Sequence, residues 1–147
     1  MIIPDINLLI YAYNAADPRH AAARQWWEES IEGRLPVGMP WVVAAGFVRL
    51  ITHPRVLVQP LAVSEATRRV RRWLDHPNVT VVQPGSRFAR LFLDALDAVG
   101  TAGNLTTDAH LAALAIEHQA ELHTNDADFT RFTGLRWRNP LRHGTHS

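Results

Sequence analysis

Short strand-like runs at residues 1–3, 79–82 and 121–124 are separated by long stretches with helical apolar spacing. This alternation is the strongest constraint on the fold. A hairpin joins antiparallel strands through a few residues, whereas helical connections of this length return parallel strands. The chain is therefore expected to be α/β, with a mainly parallel sheet and a last edge strand at 135–138.

The connections read as helices at 7–13, 19–33, 41–51 and 64–74. Gly33 and Pro54 are stop signals, and Ser64 is the expected cap of the fourth helix. Ser86 is expected to cap a helix with Phe88, Leu91, Phe92, Ala95 and Leu96 on its apolar face. Residues 100–106 read as a loop. Thr107 is expected to cap a helix running through His118, with Leu111, Leu114, Ala115 and His118 inward. Trp26 and Trp27 are adjacent and point about 100° apart on a helix, so one is assigned to the core and the other to a partner surface. Domain size fits the 147 residues; a single domain is expected over 1–142, with a short tail at 143–147.

Composition removes several chemistries. There is no cysteine, so a thiol nucleophile, thiolate metal sites and disulfides are excluded, in keeping with a cytoplasmic chain. All fifteen basic residues are Arg, which excludes a phosphate-loop lysine and a Schiff base. No apolar run approaches a membrane span, and the N-terminus lacks the basic region of a signal peptide. The net charge of +1 does not by itself announce a nucleic-acid binder.

The acids carry the functional signal. In open parallel sheets, ligands gather outside the carboxyl ends of the strands. Asp5 follows the first strand, Asp126 and Asp128 follow the strand at 121–124, and Asp108 opens a helix. Taken singly, Asp5, Asp108 and Asp128 read more readily as caps than as site residues, and Asp126 also as part of an ordinary turn pair. Taken together, they place four carboxylates at one edge of the sheet. Clustered carboxylates need raised pKa values or a cation between them. Mg²⁺, with Mn²⁺ as a substitute, is the natural cation for carboxylate and water oxygens. Asn7 and Thr124 or Asn125 are expected to orient the acids or bound water. Arg68, Arg69, Arg71 and Arg72 share one helix and read as a solvated face or as a rail for RNA phosphates.

Ile3-Pro4-Asp5-Ile6-Asn7 resembles the opening motif of PIN-domain ribonucleases. Thr107-Asp108-Ala109-His110-Leu111-Ala112-Ala113-Leu114-Ala115 resembles their third acidic motif, and Leu122-His123-Thr124-Asn125-Asp126-Ala127-Asp128-Phe129 their closing one. The likeness is greatest to VapC toxins of bacterial toxin–antitoxin pairs and covers essentially the whole chain. It implies a three-layer α/β/α sandwich and Mg²⁺-dependent endonucleolytic cleavage of RNA, commonly tRNA or ribosomal RNA. It also implies a VapB antitoxin partner and a homodimer. By motif, Asp5, Asp108 and Asp126 become the catalytic and metal-holding acids, Asp128 a fourth metal ligand, and Asn7 and Thr124 supporting residues. Arg49, Arg68 and Arg72 are assigned to phosphate contacts. One position departs from the pattern: where the family carries Glu in an Ala-Glu-Phe-x-Arg-like stretch, this chain reads Ala45-Gly46-Phe47-Val48-Arg49. Either the remaining acids suffice, with Asp94 and Asp97 as possible substitutes, or the chain is a catalytically silent module that binds RNA or protein.

Overall fold

In the computed structural model, which describes residues 1–100 and 105–142, strands and helices alternate along the chain. The order is β1 (Ile2–Pro4), α1 (Ile6–Tyr13), α2 (His20–Ile31), β2 (Val37–Pro40), α3 (Trp41–Ile51), α4 (Val63–Asp75) and β3 (Val79–Val82). There follow α5 (Phe88–Val99), α6 (Leu105–Glu117), β4 (Glu121–His123), a 3-10 turn (Ala127–Arg131) and β5 (Trp137–Arg138). The expected tail at 143–147 lies outside the described residues, as do residues 101–104 of the expected loop.

All pairings in the five-stranded sheet are parallel, in the order β3-β2-β1-β4-β5. The chain lays strands outward on one side of β1, then returns to place β4 and β5 on the other. Right-handed crossovers put α1 to α4 on one face and α5 and α6 on the opposite face. The contacts agree: α1 packs on α2 and α3, α3 on α4, and α5 on α6. The connections leave β1 and β4 in opposite directions, so the crevice beyond the carboxyl ends of these two strands is the switch point of the sheet.

The strands are short and buried because helices cover both faces. Ile3, Val37, Met39 and Leu122 are sealed between Leu8, Leu9 and Phe47 on one side and Leu111 and Leu114 on the other. Each such side chain contributes roughly 1.5–3 kcal/mol relative to exposure. Trp73 joins α4 to this core through ring contacts with Tyr13, Trp27 and Phe47.

Several sequence expectations are corrected. β2 was not anticipated, because Val37-Gly38-Met39-Pro40 carries two residues that argue against a strand. Gly38 is nevertheless required there, since a Cβ would collide with Val82, Met1 and Ile3 side chains. Pro40 ends the strand and starts α3. Ser64 does not cap α4, which begins at Val63 after Ala62. Ser86 does not cap α5. The Glu117 carboxylate instead ties down the turn that enters α5, accepting the N–H groups of Gly85 (2.7 Å) and Arg87 (2.9 Å). Thr107 does not cap α6 but lies within its first turn, because the helix already includes residues 105 and 106 of the expected loop. His118 is only half-buried and bonds the Gln83 carbonyl oxygen at 2.8 Å instead of facing the core. Trp26 and Trp27 are both buried, so neither offers a partner surface.

Candidate active site

Asp5 sits at the junction of β1 and α1, at the switch point, and is buried. Its N–H donates to the His123 carbonyl on the neighbouring strand at 2.9 Å. Its Oδ1 accepts the adjacent Ile6 N–H (2.7 Å) and its Oδ2 accepts the Thr124 hydroxyl (2.8 Å). An ordinary helix cap accepts from the second or third helical residue, so Asp5 is not acting simply as one. Burial is the larger effect and pushes its carboxyl above the usual range, against the two hydrogen bonds.

Thr124 is fully buried and joins two acids. Its hydroxyl donates to Asp5 and accepts the Asp126 N–H at 3.0 Å. Asp126 in turn accepts the Asp128 N–H at 2.8 Å, which starts the 3-10 turn. For Asp126 the capping reading therefore holds alongside any other role. Asn125, between Thr124 and Asp126, is tied to the end of the chain by the Asn139 amide at 2.8 Å. His123 is locked from behind: the Trp26 indole donates to Nδ1 (2.9 Å), so Nε2 carries the proton and donates to Glu121 (2.8 Å). Burial holds the His123 pKa below the usual imidazole value. Asp5 is thus held through a strand backbone that is itself pinned.

Asp108 reaches the same region from the first turn of α6. Its carboxyl is pushed up to about 6, first by burial and then by the charges of Asp5, Asp126 and Asp128, with Arg131 opposing. It accepts no hydrogen bond among the described residues. The structure therefore brings four acids from three distant parts of the sequence into one electrostatic field, as anticipated. Asn7, in contrast, is exposed and makes no side-chain hydrogen bond among the described residues. Asp94 and Asp97 are exposed on α5 and are not among the charges acting on Asp5 or Asp108, so they do not stand in for a missing acid.

The arginines fall elsewhere than expected. Arg49 lines an apolar groove between α3 and α4 beside Trp41, Val48, Val70 and Leu74. Arg68 is exposed on α4, and Arg72 faces a cavity between α1, α2 and α4. The cation that acts on the acids is Arg131, which the sequence reading missed. It follows Asp128 by three residues in the 3-10 turn, donates to the Asp128 carbonyl (3.1 Å) and stands 3.8 Å from its carboxylate.

Gly46 is buried against Ile6, the residue after Asp5. A Cβ there would strike the Ile6 Cδ1 and press on its Cγ1. The position adjoins the start of α1, but the space a carboxylate would need is filled by an isoleucine.

The donor chemistry suits a hard divalent cation: carboxylate oxygens, one acid unpartnered, and mutual repulsion that a positive charge would relieve. Among the described residues, no three acidic or histidine side chains close into a ready-made cage. The acids act on one another at electrostatic range. A hydrated Mg²⁺, which keeps several waters and takes few carboxylates directly, is compatible with such a set.

A model of the PIN domain family matches residues 2–135. The chain is 46% identical over 142 residues to Ribonuclease VapC33 of Mycobacterium tuberculosis, covering 97% of this chain and 99% of that protein. Its fold is similar to that of VapBC2 from Rickettsia felis, solved bound to a promoter DNA fragment, with TM-score 0.68, 17% identity and 95% and 98% of the two chains covered. It is also similar to VapC20 of Mycobacterium tuberculosis, described as a sarcin-ricin loop cleaving toxin, with TM-score 0.63, 20% identity and 92% and 99% covered.

Proposed function

Because the chain belongs to the PIN-domain family, among its VapC-type members, we propose that it is a metal-dependent endoribonuclease toxin restrained by a VapB-like antitoxin. The observation that carries the reading is Asp108, a carboxyl without a hydrogen-bond partner among the described residues, held near pKa 6 beside three other acids at the sheet's switch point. Such a group is costly to the metal-free fold and useful only with a cation or a proton to receive. Similarity to Ribonuclease VapC33 over nearly the whole length of both chains supports RNA as the substrate.

Asp5, Asp108 and Asp126 would hold Mg²⁺, or Mn²⁺ in its place, with Asp128 at the rim. Bound there, the ion supplies Lewis acidity toward a phosphodiester oxygen and toward water. The reaction is hydrolysis: water oxygen bonds to phosphorus, one phosphorus–oxygen ester bond breaks, and the departing oxygen gains a proton. The chain contributes position. Thr124 fixes the facing oxygen of Asp5 and the start of the Asp126 turn, and an acid not engaged by the cation accepts the proton of the attacking water. Arg131 offsets part of the negative field that would repel the substrate. Unstacked, single-stranded loops of tRNA or ribosomal RNA are the substrates such an open edge admits most readily. The antitoxin would cover the acidic crevice, and the homodimer implied by the family resemblance belongs to the same proposal.

Cleavage of total tRNA and ribosomal RNA by the purified chain, with Mg²⁺ or Mn²⁺ and with EDTA, tests this. Cleavage should require the ion and fall by at least about 100-fold in Asp5→Asn and Asp108→Asn, as loss of a transition-state charge contact does. Full activity in both folded variants would contradict the proposal. A wild-type chain that binds RNA but cuts none would favour the silent binding module.

A further inference from the structure

A cavity of about 440 Å³ opens on the side of the molecule formed by α1, α2 and α4. Tyr13, His20, Arg24, Trp27, Arg69 and Arg72 line it. Three guanidinium groups and an imidazole face a single carboxylate, Glu28, which Arg24 already engages at 3.1 Å. Arg72 is exposed and has no hydrogen bond or ion pair among the described residues. Two N–H groups of the lining residues, Trp27 Nε1 and Arg69 Nε, are closed off from solvent and have no acceptor among the described residues. An unsatisfied buried N–H is costly; these two lie behind the wall and report on what enters, while the guanidinium ends of Arg24, Arg69 and Arg72, together with His20, carry the charge that lines the cavity.

The wall is also rigid. The Arg69 guanidinium carbon lies 4.6 Å from the centroid of the Tyr13 ring. Tyr13 is fixed in turn, its hydroxyl accepting the Trp73 indole N–H at 2.8 Å and its ring set edge-on to Phe47. His20 Nδ1 is anchored on the Tyr11 carbonyl at 2.9 Å. Net positive charge and guanidinium donors on a held wall describe a receptor for a ligand that accepts hydrogen bonds and carries negative charge. A phosphate, with several oxygens in different directions, meets such a spread of donors better than a flat carboxylate does.

We propose that this cavity is an oxyanion subsite that receives a backbone phosphate of the RNA substrate. The inference rests on the ribonuclease reading and extends it to a second contact. The acid cluster stands at the N-terminus of α1 and the cavity at its C-terminus. At 1.5 Å per residue, the eight-residue helix separates them by roughly 12 Å along its axis. RNA that reaches the acids is repelled by their charge, and positive charge at the far end of the same helix holds the strand against that repulsion.

The test uses the full ¹⁵N-labelled chain in EDTA at low salt, titrated separately with a single-stranded octauridylate, inorganic phosphate and a Glu-rich peptide. The Trp27 indole N–H and Arg69 Nε–H resonances, assigned with Trp27→Phe and Arg69→Lys, should shift saturably with octauridylate and with phosphate. Arg72→Gln should weaken octauridylate several-fold and lower the slope of log K against log salt by about 0.7, the value for one single-strand phosphate contact. Arg72→Lys should restore the slope, and Arg55→Gln on the α3–α4 connection measures the general effect of one lost charge. No octauridylate binding, binding without movement of the two resonances, or movement only with the acidic peptide would each overturn the subsite; the last would assign the cavity to a protein partner. Acid-dependent RNA cleavage with silent cavity resonances would overturn the subsite alone. Resonances that respond to RNA in a chain that cleaves nothing would overturn the ribonuclease reading alone.

Discussion

Asp108 shows how a single residue records the purpose of its surroundings. In the unfolded chain its carboxyl titrates near 3.8, and in the folded chain near 6. Between those values the folded protein keeps a proton that the unfolded one has released. Stability therefore falls as pH rises through this window and is level above it. With metal removed, Asp108→Asn should raise stability at pH 7.5 by about 1–2 kcal/mol, a figure reduced from the full linkage value because the carboxyl is only partly buried. The gain should shrink as pH falls from about 6 and vanish below about 3.8, where the folded and unfolded wild type both carry the proton. Urea unfolding in EDTA between about pH 3.5 and 8 checks both statements, and an Asn variant that is less stable at pH 7.5 would show that the acid has a hidden partner. Asp5 and Asp108 were legible in the sequence because each follows a recognisable strand or opens a recognisable helix. Arg131 was not, because its effect depends on a 3-10 turn that brings it back over Asp128.

At the scale of elements, α1 and α3 meet where Gly46 faces Ile6. Two outcomes of adding a side chain at this position compete. Glu is a far better helix former than Gly, worth up to about 1 kcal/mol. Filling a closed contact costs about 1–3 kcal/mol. Ile6 is itself buried, so its side chain has little room to swing clear of a Gly46 Cβ; the second effect outweighs the first, and Gly46→Glu should lower stability. Shortening Ile6 to Ala in the same chain should recover part of the loss. Thermal melts of the two variants measure this, and a Gly46→Glu protein as stable as wild type would mean that α1 shifts to accommodate it. Sequence could show that a family acid was missing but not what occupied its place, since that is a contact between residues forty apart. The same limit explains β2, whose Gly38 and Pro40 look like strand breakers until the close approach of Val82 and Met1 is seen. It also explains the turn entering α5, which is tied by Glu117 on another helix and not by a nearby serine.

For the whole molecule, the alternation of strands and helices sufficed to indicate a parallel sheet, and the reversal of strand order at β1 and β4 gave the acids a common edge. The arginines were the least legible feature. Their helix was clear, but which faced solvent, the apolar groove or the basic cavity depended on how α4 is rotated against α1 and α3. The central claim is that Asp5, Asp108 and Asp126 form one divalent-cation site. Isothermal titration of the metal-free chain with Mn²⁺ at pH 7.5, alongside Asp126→Asn, tests it most directly. Wild type should show a saturable binding isotherm whose affinity drops by at least about tenfold in the variant, equivalent to the loss of about 1.4 kcal/mol. Equal affinity in the two proteins, or no saturable binding to a folded wild-type chain, would contradict the account.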